Sequence, residues 1–206
     1  MAIPLIDFCT LNGEKRGETM ALLHEACQKW GLFRIENHEV DKTLMEKVKQ
    51  LINIYYEENL KESFYQSEIV KSLEKKLNTS DTDWESAFFI WHLPISNIKK
   101  IPNFSKELGS GDSMGTKVAK YPKCPHLELV RGLREHIDAC GIILLLQDDQ
   151  VPGLEFFKDG KWVEIPPSKN NAIFVNTGDQ VEVLSNGLTK MEANGSKLSV
   201  GDIINI

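Results

Sequence analysis

The chain has 206 residues and a formal net charge of −6 at pH 7, from 24 Lys and Arg against 30 Asp and Glu. This balance argues against nucleic acid and anionic membranes as partners, because both attract basic proteins. Apolar residues make up 41% of the chain, yet no apolar run approaches the roughly 20 residues of a membrane span, and the opening MAIPLIDF lacks the basic region and long apolar core of a signal peptide. We therefore expect a globular, cytoplasmic protein.

The cysteines Cys9, Cys27, Cys124 and Cys140 are scattered along the chain without a Cys-x-x-Cys pair. In a chain without a secretory signal such cysteines are normally reduced thiols. A chain of this length can also bury an adequate core without disulfides. The cysteine pattern therefore agrees with a cytoplasmic protein.

The first elements follow from apolar periodicity and turn residues. Residues 3–8, IPLIDF, predict a short strand, and residues 14–30 predict a helix with apolar side chains at helical spacing. Gly31, just past this helix, is typical of a helix C-terminus. LFRI at 32–35 then predicts a second strand.

A long helix is predicted from Asp41, a suitable N-cap, to about residue 65. Its apolar face is expected to consist of Leu44, Val48, Leu51, Ile52 and Tyr55. Residues 66–83 are polar and predict irregular structure. AFFIWHLP at 87–94 predicts a strand that Pro94 closes.

Residues 95–114 are polar and rich in Gly and Ser, without helical periodicity, and predict a flexible link. They separate an N-terminal region of helices and strands, 1–94, from a strand-rich region, 115–206. We expect these to be the main divisions of the chain.

From Gly115 onward the pattern is that of strands, with GTKVAKYP, LREHID and the apolar run GIILLLQ as candidates. Asp159-Gly160 within LEFFKDGKWVEI predicts a hairpin with a type I′ turn. AIFVNTGDQVEVLSNG predicts a strand, a tight turn at Gly178-Asp179 and a further strand, and KLSVGDIINI closes the chain. Short strands after an α-rich first half predict an α+β fold, a sandwich or jelly roll with N-terminal helices packed outside it.

The stretch REHIDACG at 134–141 has the residues for metal chemistry. His136 and Asp138 are two apart, and on a strand such residues point to the same face. An imidazole and a carboxylate on one face are two thirds of the 2-His-1-carboxylate triad that binds non-haem Fe(II). The spacing alone is a weak signal, because a buried structural histidine beside a turn-capping Asp gives the same pattern.

Longer motifs carry a family resemblance: IPLIDF, WGLFRIENH, TDWESAFF, GTKVAKYPKCP, REHIDACGIILLLQDDQVPGLEFFKDGKWVEIPP and VNTGDQVEVLSNG. Through them the chain resembles the plant 1-aminocyclopropane-1-carboxylate oxidases, oxidoreductases of the 2-oxoglutarate/Fe(II)-dependent dioxygenase superfamily, over most of residues 1–187. The resemblance implies a double-stranded β-helix, or jelly roll, that holds one Fe(II) through His136 and Asp138. It also implies conversion of 1-aminocyclopropane-1-carboxylate and O2 to ethylene, with ascorbate as co-substrate and bicarbonate as activator.

The resemblance also implies residues that contact the substrate carboxylate, ascorbate or bicarbonate: Lys117, Arg134, Lys197 and Ser199. Lys197 is an imperfect match, because the family has an Arg there and a Lys lacks its bidentate fork. Lys117 and Arg134 have an alternative interpretation as solvated residues or partners of Asp148 or Asp149. Tyr121 and Asn176 are candidates for the pocket, although Tyr121 would also suit the core. His38 is expected to be structural.

The third iron ligand of the family, a His after an Asn-Gly turn, has no counterpart in this chain. Asn186-Gly187 is followed by LTKMEANGSKLSV, and the last of the five histidines is His136. Asp179, Glu182 or Glu192 are the carboxylates that could complete a one-His, two-carboxylate site. Nothing in the sequence places any of them at the required depth.

Other departures predict an incomplete jelly roll. Residues 95–114 stand where the family has a pair of helices, and the family's C-terminal helix is missing, so exposed strand edges and uncovered apolar surface are expected. Glu39 stands in place of a Gly, which is costly if that position needs a positive φ. Ile137 and Cys140 replace a Thr and a Gly.

These observations leave three functional hypotheses. The first is an Fe(II)- and ascorbate-dependent oxidase of ethylene biosynthesis that works poorly or not at all without its third ligand. The second is a non-catalytic relative, such as a splice form or a decoy that binds a partner. The third is a 2-oxoglutarate-dependent hydroxylase. None of them involves nucleic acid or a membrane.

Overall fold

The computed structural model describes residues 3–75, 83–91, 115–139, 141–147, 150–189, 194–196 and 203–205. The chain forms two compact units. The first comprises Met1–Val40 and Arg134–Lys197, and the second comprises Asp41–Leu133 and Leu198–Ile206. The predicted link at 95–114 lies outside the described residues.

The α-helices within the described ranges are α1 (Arg16–Lys29), α2 (Lys42–Tyr55), α3 (Lys61–Tyr65), α4 (Glu68–Glu74) and α5 (Asp179–Leu184). The strands within them are β1 (Leu5–Asp7), β2 (Leu32–Glu36), β3 (Ser86–Trp91), β4 (Gly115–Tyr121), β5 (Leu133–His136), β6 (Ile142–Leu145), β7 (Leu154–Lys158), β8 (Lys161–Ile165), β9 (Ile173–Thr177), β10 (Asn194–Ser196) and β11 (Ile203–Asn205). Short 3₁₀ turns cover Phe8–Asn12 and Lys169–Asn171.

The first unit contains two four-stranded sheets, with strand orders β1-β2-β9-β6 and β5-β10-β7-β8. β1 is parallel to β2, whereas β2 and β6 both pair antiparallel with β9. One buried cluster joins residues of both sheets: Leu32, Leu154, Phe156, Ile165 and Phe174. This cluster is the core of a sandwich, as the jelly-roll prediction requires.

The helix α1 covers the other face of the first sheet. Side chains alternate along a strand, so Phe33 and Val175 point away from the sandwich core. They pack with Ile6 and with Ala26 of α1. Gly31 after this helix has a φ of +66°, as predicted for a helix C-terminus. The expected jelly roll with a helix packed outside it is confirmed.

The second unit is built on a three-stranded sheet in the order β11-β4-β3. α2 packs on one face through Val48 and Ile52, which contact Ile90 and Val118 of the sheet. Because neighbouring side chains on a strand point to opposite faces, the residues flanking Val118 lie on the face away from α2. Lys117 is one of them.

A second cluster in this unit surrounds Trp84, which is fully buried. Its indole Nε1 donates to the carbonyl oxygen of Pro122 at 2.7 Å, and its ring meets that of Phe64 edge to face at 5.1 Å. Val70 and Leu73 of α4 complete the surroundings. Full burial of such side chains contributes roughly 1.5–3 kcal/mol each to stability.

The long helix predicted from Asp41 is confirmed. The Asp41 carboxylate accepts a hydrogen bond from the Leu44 N–H at 3.0 Å, so it caps α2, and the hydrogen bond from this N–H holds the pKa of the carboxyl below its ordinary value. The helical path continues through a π-helical turn at Tyr56–Leu60 into α3. The predicted apolar face is shifted slightly, because Met45 is buried whereas Leu44 is 36% exposed.

Two secondary-structure predictions are wrong. The segment predicted as irregular contains α4, a two-turn helix that lacks a side-chain cap and is held by the packing of Val70 and Leu73. The strand predicted after Gly178-Asp179 is the helix α5. Gly178 is extended and precedes a first turn that contains Asp179 and Glu182, and acidic residues there favour a helix start.

The hairpin predicted at Asp159-Gly160 is confirmed. β7 and β8 pair antiparallel up to Lys158↔Lys161. Asp159 and Gly160 both have positive φ, +49° and +78°, which is the geometry of a type I′ turn. The glycine avoids the steric cost that a side chain meets there.

Apolar side chains are exposed in two elements of the first unit. Ile142 and Leu144 on β6 are 66% and 58% exposed, and Val183 and Leu184 on α5 are 78% and 85% exposed. β6 is the last strand of its sheet among the described residues. Uncovered apolar surface, as expected from the sequence, is therefore present on these two elements. Among the described residues, none of the helices is long and apolar enough to cross a membrane.

Candidate metal centre

The candidate metal ligands lie where β5 ends. His136 is the last residue of β5, and Asp138 follows two residues later. The imidazole Nε2 of His136 is 3.5 Å from Oδ1 of Asp138. Their side chains are 35% and 21% exposed, so both are partly shielded from solvent.

The backbone orients the His136 ring and selects its tautomer. Its Nδ1 is 2.8 Å from the carbonyl oxygen of Arg134, and a carbonyl only accepts, so Nδ1 carries the hydrogen. In the neutral imidazole with its hydrogen on Nδ1, Nε2 is the nitrogen that can act as a metal ligand. A backbone carbonyl on the second ring nitrogen is the usual support of a metal-ligating histidine.

Asp138 is held by two other segments of the first unit. Its Oδ2 accepts a hydrogen bond from Nδ2 of Asn176 on β9 at 2.5 Å. Its backbone carbonyl accepts from the N–H of Asp179 at 3.0 Å, and the N–H of Gly178 donates to the carbonyl of Gly141 at 2.8 Å. The turn that leads from β9 into α5 therefore anchors the segment after β5.

These two side chains fit a bound cation as a pair. Two ligand atoms that bind one ion with bonds of about 2.1 Å lie roughly 3–3.5 Å apart, and Nε2 of His136 and Oδ1 of Asp138 are 3.5 Å apart. An imidazole and a carboxylate are also suitable donors for Fe(II).

A third protein ligand is not found among the residues that the structure describes. No group of three His, Cys, Asp or Glu side chains there could hold a metal ion. Asp179 and Glu182 therefore do not complete the site as side-chain donors, although Asp179 binds Asp138 through its backbone. Glu192, the remaining alternative, lies outside the described residues.

A second His-x-acid pair in the chain provides a contrast. In the second unit, Nδ1 of His126 is 3.3 Å from Oε1 of Glu128. The Glu128 side chain is 69% exposed, whereas Asp138 is mostly buried and hydrogen-bonded. The two pairs have the same sequence spacing, but the acid of the His136 pair is more buried and accepts a hydrogen bond from Asn176. The His136 pair is therefore the better candidate for a metal site.

Lys117, predicted to contact an anion, is paired within the second unit. Its Nζ is 3.0 Å from both carboxylate oxygens of Glu85, and the hydroxyl of Tyr121 donates to Glu85 Oε2 at 3.4 Å. Tyr121 is 2% exposed, so it is a core residue as well as a polar contact. The alternative partners Asp148 and Asp149 lie outside the described residues.

The other predicted contacts are placed only in part. The Arg134 side chain is exposed, and its backbone carbonyl is the atom that orients His136. Lys197 and Ser199, like Cys140, lie outside the described residues. Ile137, between the two candidate ligands, is 54% exposed.

The interpretation of His38 as a structural histidine is confirmed. Its Nδ1 accepts from the N–H of Val40 at 3.2 Å, so Nε2 carries the hydrogen and donates to the carbonyl of Asn171 at 2.8 Å. Both ring nitrogens are therefore occupied by the backbone. The adjacent Glu39 has a φ of +61°, so the backbone strain expected at this position is present.

The sequence interpretation missed the role of Glu85. TDWESAFF was used only as a motif, but β3 and β4 pair with Ser86 opposite Lys120. This register puts Glu85 beside Tyr121 and near Lys117, on one face of the sheet. A prediction that the strands in TDWESAFF and GTKVAKYP pair with each other could have located Glu85 beside Tyr121.

Two protein-family models match the chain. The 2OG-Fe(II) oxygenase superfamily model matches residues 113–195. The model described as "non-haem dioxygenase in morphine synthesis N-terminal" matches residues 3–104.

Similar curated proteins are 1-aminocyclopropane-1-carboxylate oxidases. Oxidase 1 of Arabidopsis thaliana is 55% identical over 251 aligned positions, which cover 100% of this chain and 81% of that protein. The oxidase of Diospyros kaki is 35% identical and covers 99% and 79%; oxidase 3 of Cucumis melo is 35% identical and covers 100% and 78%. An alignment of 251 positions with a chain of 206 residues requires gaps in the chain, so that relative has segments that are absent here.

Solved structures share the fold. The crystal structure of JOX2 in complex with 2OG, Fe and JA has a TM-score of 0.75 and 26% identity, and the match covers 98% of this chain and 72% of that one. The rice dioxygenase for auxin oxidation has a TM-score of 0.73 at 17% identity, with 99% and 81% covered. Together with the identity to the curated oxidases, these matches show that the chain belongs to the 1-aminocyclopropane-1-carboxylate oxidase family of the 2OG-Fe(II) oxygenase superfamily.

Proposed function

We propose that the chain is an Fe(II)- and ascorbate-dependent oxidase that releases ethylene from 1-aminocyclopropane-1-carboxylate and O2, at a rate well below that of relatives with a third protein ligand. The observation that carries the proposal is the pair formed by His136 Nε2 and Asp138 Oδ1, 3.5 Å apart. The family membership supplies the reaction class, because the similar curated proteins are oxidases of this substrate.

His136 and Asp138 would hold the metal. The Arg134 carbonyl keeps the hydrogen on Nδ1 of His136, so Nε2 is the nitrogen that would bind the metal. Asp138 contributes a negative charge that favours a divalent cation over water. A bound Fe(II) would supply the redox chemistry with O2 that no side chain can perform.

The proposal assigns cationic side chains of the chain to the binding of anions. An anionic substrate, ascorbate and bicarbonate need cationic donors, and Arg134, Lys117 and Lys197 are the proposed cationic contacts. Ser199 would add a neutral hydroxyl donor. Lys117 is already neutralised by Glu85, so an anion must compete with that carboxylate for it. This competition is a second reason to expect weak turnover.

The missing ligand sets the expected activity. Loss of a residue that merely supports a metal ligand typically costs about 10–100-fold in metal affinity or activity. Loss of a direct ligand should cost at least as much. We therefore expect slow, metal-dependent ethylene release. We also propose that the protein is cytoplasmic.

The test is ethylene release by the purified full chain, measured by gas chromatography with substrate, Fe(II), ascorbate and bicarbonate. The matched variants are His136→Ala and His126→Ala, since both histidine side chains are similarly exposed, 35% and 38%, and lie beside an acid. We expect His126→Ala to resemble wild type and His136→Ala to abolish ethylene.

Other results would contradict the proposal. Ethylene from wild type that does not exceed the metal-free control or His136→Ala would favour the non-catalytic relative. Turnover of 2-oxoglutarate to succinate without ethylene would favour the hydroxylase. Each outcome therefore selects one hypothesis.

A further inference from the structure

A buried amide lies in an apolar part of the first sheet. Asn176 on β9 is 9% exposed, and its direct neighbours across the sheet are Leu32 on β2 and Ile143 on β6. Burial of an amide costs free energy unless its polar atoms are hydrogen-bonded. The position therefore needs an explanation other than packing.

The amide makes one strong contact and leaves one atom unsatisfied. Nδ2 of Asn176 donates to Oδ2 of Asp138 at 2.5 Å, a hydrogen bond strengthened by the negative charge of the acceptor. Oδ1 of Asn176 is buried without a hydrogen-bond partner. A residue selected for stability alone would not leave a buried acceptor unpaired, so the contact with Asp138 is the feature that accounts for the amide.

This contact gives the two oxygens of the Asp138 carboxylate different partners. Oδ2 is held by Asn176, whereas Oδ1 is directed to His136 Nε2. The two oxygens therefore have different environments before any ion binds. A carboxylate held in this way presents a single oxygen beside the imidazole.

We propose that Asn176 is the positioning residue of the metal site: it holds Oδ2 of Asp138 so that Oδ1 alone faces the metal. Asn176 does not touch the ion in this assignment and acts through Asp138. The metal part of the inference rests on the proposed function, whereas the contact between Asn176 and Asp138 does not.

The test compares Asn176→Leu with Thr177→Val in the full chain. Thr177 is the next residue of β9, is 4% exposed, and donates from its hydroxyl to the carbonyl of Gly31 at 2.8 Å. Each variant therefore removes one buried hydrogen bond from the same strand, but only Asn176→Leu affects Asp138. Thermal unfolding of the metal-free proteins is measured first, to verify that both variants fold.

Co(II) is the probe, followed by calorimetry and by its visible absorption spectrum. We expect Asn176→Leu to raise the Co(II) dissociation constant about 10–100-fold and to change the spectrum, because the carboxylate geometry changes. Thr177→Val should leave the constant within about a factor of two. Equal effects of the two variants, or no effect of Asn176→Leu, would overturn the proposal.

A double-mutant cycle of Asn176→Leu and Asp138→Ala on the metal-free protein tests the contact without metal. Coupling between the two substitutions in urea unfolding supports the positioning contact, and additivity overturns it. If wild type binds Co(II) no better than His136→Ala, the metal site of the proposed function fails, and the proposed metal role of Asn176 fails with it. The cycle then still decides whether Asn176 holds Asp138.

Discussion

The pairing of Lys117 with Glu85 makes a quantitative prediction about the second unit. Both carboxylate oxygens of Glu85 lie 3.0 Å from Nζ of Lys117, and the side chains are 37% and 18% exposed. Exposed ion pairs contribute about 0.2–1 kcal/mol, and breaking a buried pair costs about 3–5 kcal/mol. The intermediate burial places the coupling energy of this pair at about 1–2 kcal/mol.

The assay is a double-mutant cycle of Glu85→Gln and Lys117→Met, followed by urea unfolding and circular dichroism. Each single variant should lower the free energy of unfolding by about 1–2 kcal/mol. The double variant should cost less than the sum of the two, because the second change removes a group already without its partner.

A control pair separates burial from charge. Lys61 and Glu57 lie 2.7 Å apart on the surface, with side chains 49% and 47% exposed. Their cycle should give only about 0.3–0.5 kcal/mol, as for other helix pairs four residues apart. A Glu85–Lys117 coupling no larger than this control would refute the reasoning and leave Lys117 free to serve an external anion.

Three further predictions concern other parts of the chain. Glu39→Gly should raise the free energy of unfolding by about 0.5–1 kcal/mol, because Glu39 has a φ of +61° and glycine removes that strain; urea unfolding measures it, and a lower stability would contradict it. Burial raises the pKa of the Cys124 thiol, so it holds less thiolate at pH 8 than an ordinary thiol, and iodoacetamide with peptide mapping should label exposed Cys9 first. Ile142→Lys with Leu144→Lys should reduce concentration-dependent association in sedimentation, because both side chains are mostly exposed; unchanged association would show that this surface is not adhesive.

Local signals predicted the elements that depend on one or two residues. Asp41 as a helix cap, Gly31 after α1 and Asp159-Gly160 in the hairpin all act through their own backbone geometry. Each is visible in the sequence because the cause lies in the same few residues. The strain at Glu39 was predictable for the same reason.

Features that depend on distant partners were not predictable in this way. α4 is held by its packing around Trp84, and α5 begins where Gly178 and Asp179 bind the segment after β5. The alternation of valines in α5 is typical of a strand. The pattern of apolar residues does not reveal that the start of this segment binds the segment after β5, which is distant in sequence. The Glu85 and Asn176 contacts likewise join residues more than 30 positions apart.

The central claim is that His136 and Asp138 form the retained part of a metal site. The direct measurement is an anaerobic Fe(II) titration of wild type, His136→Ala and His126→Ala by calorimetry. We predict saturable binding to wild type and to His126→Ala, and an affinity at least about 10–100-fold weaker in His136→Ala. Equal binding by all three proteins, or no binding by wild type, would contradict the claim.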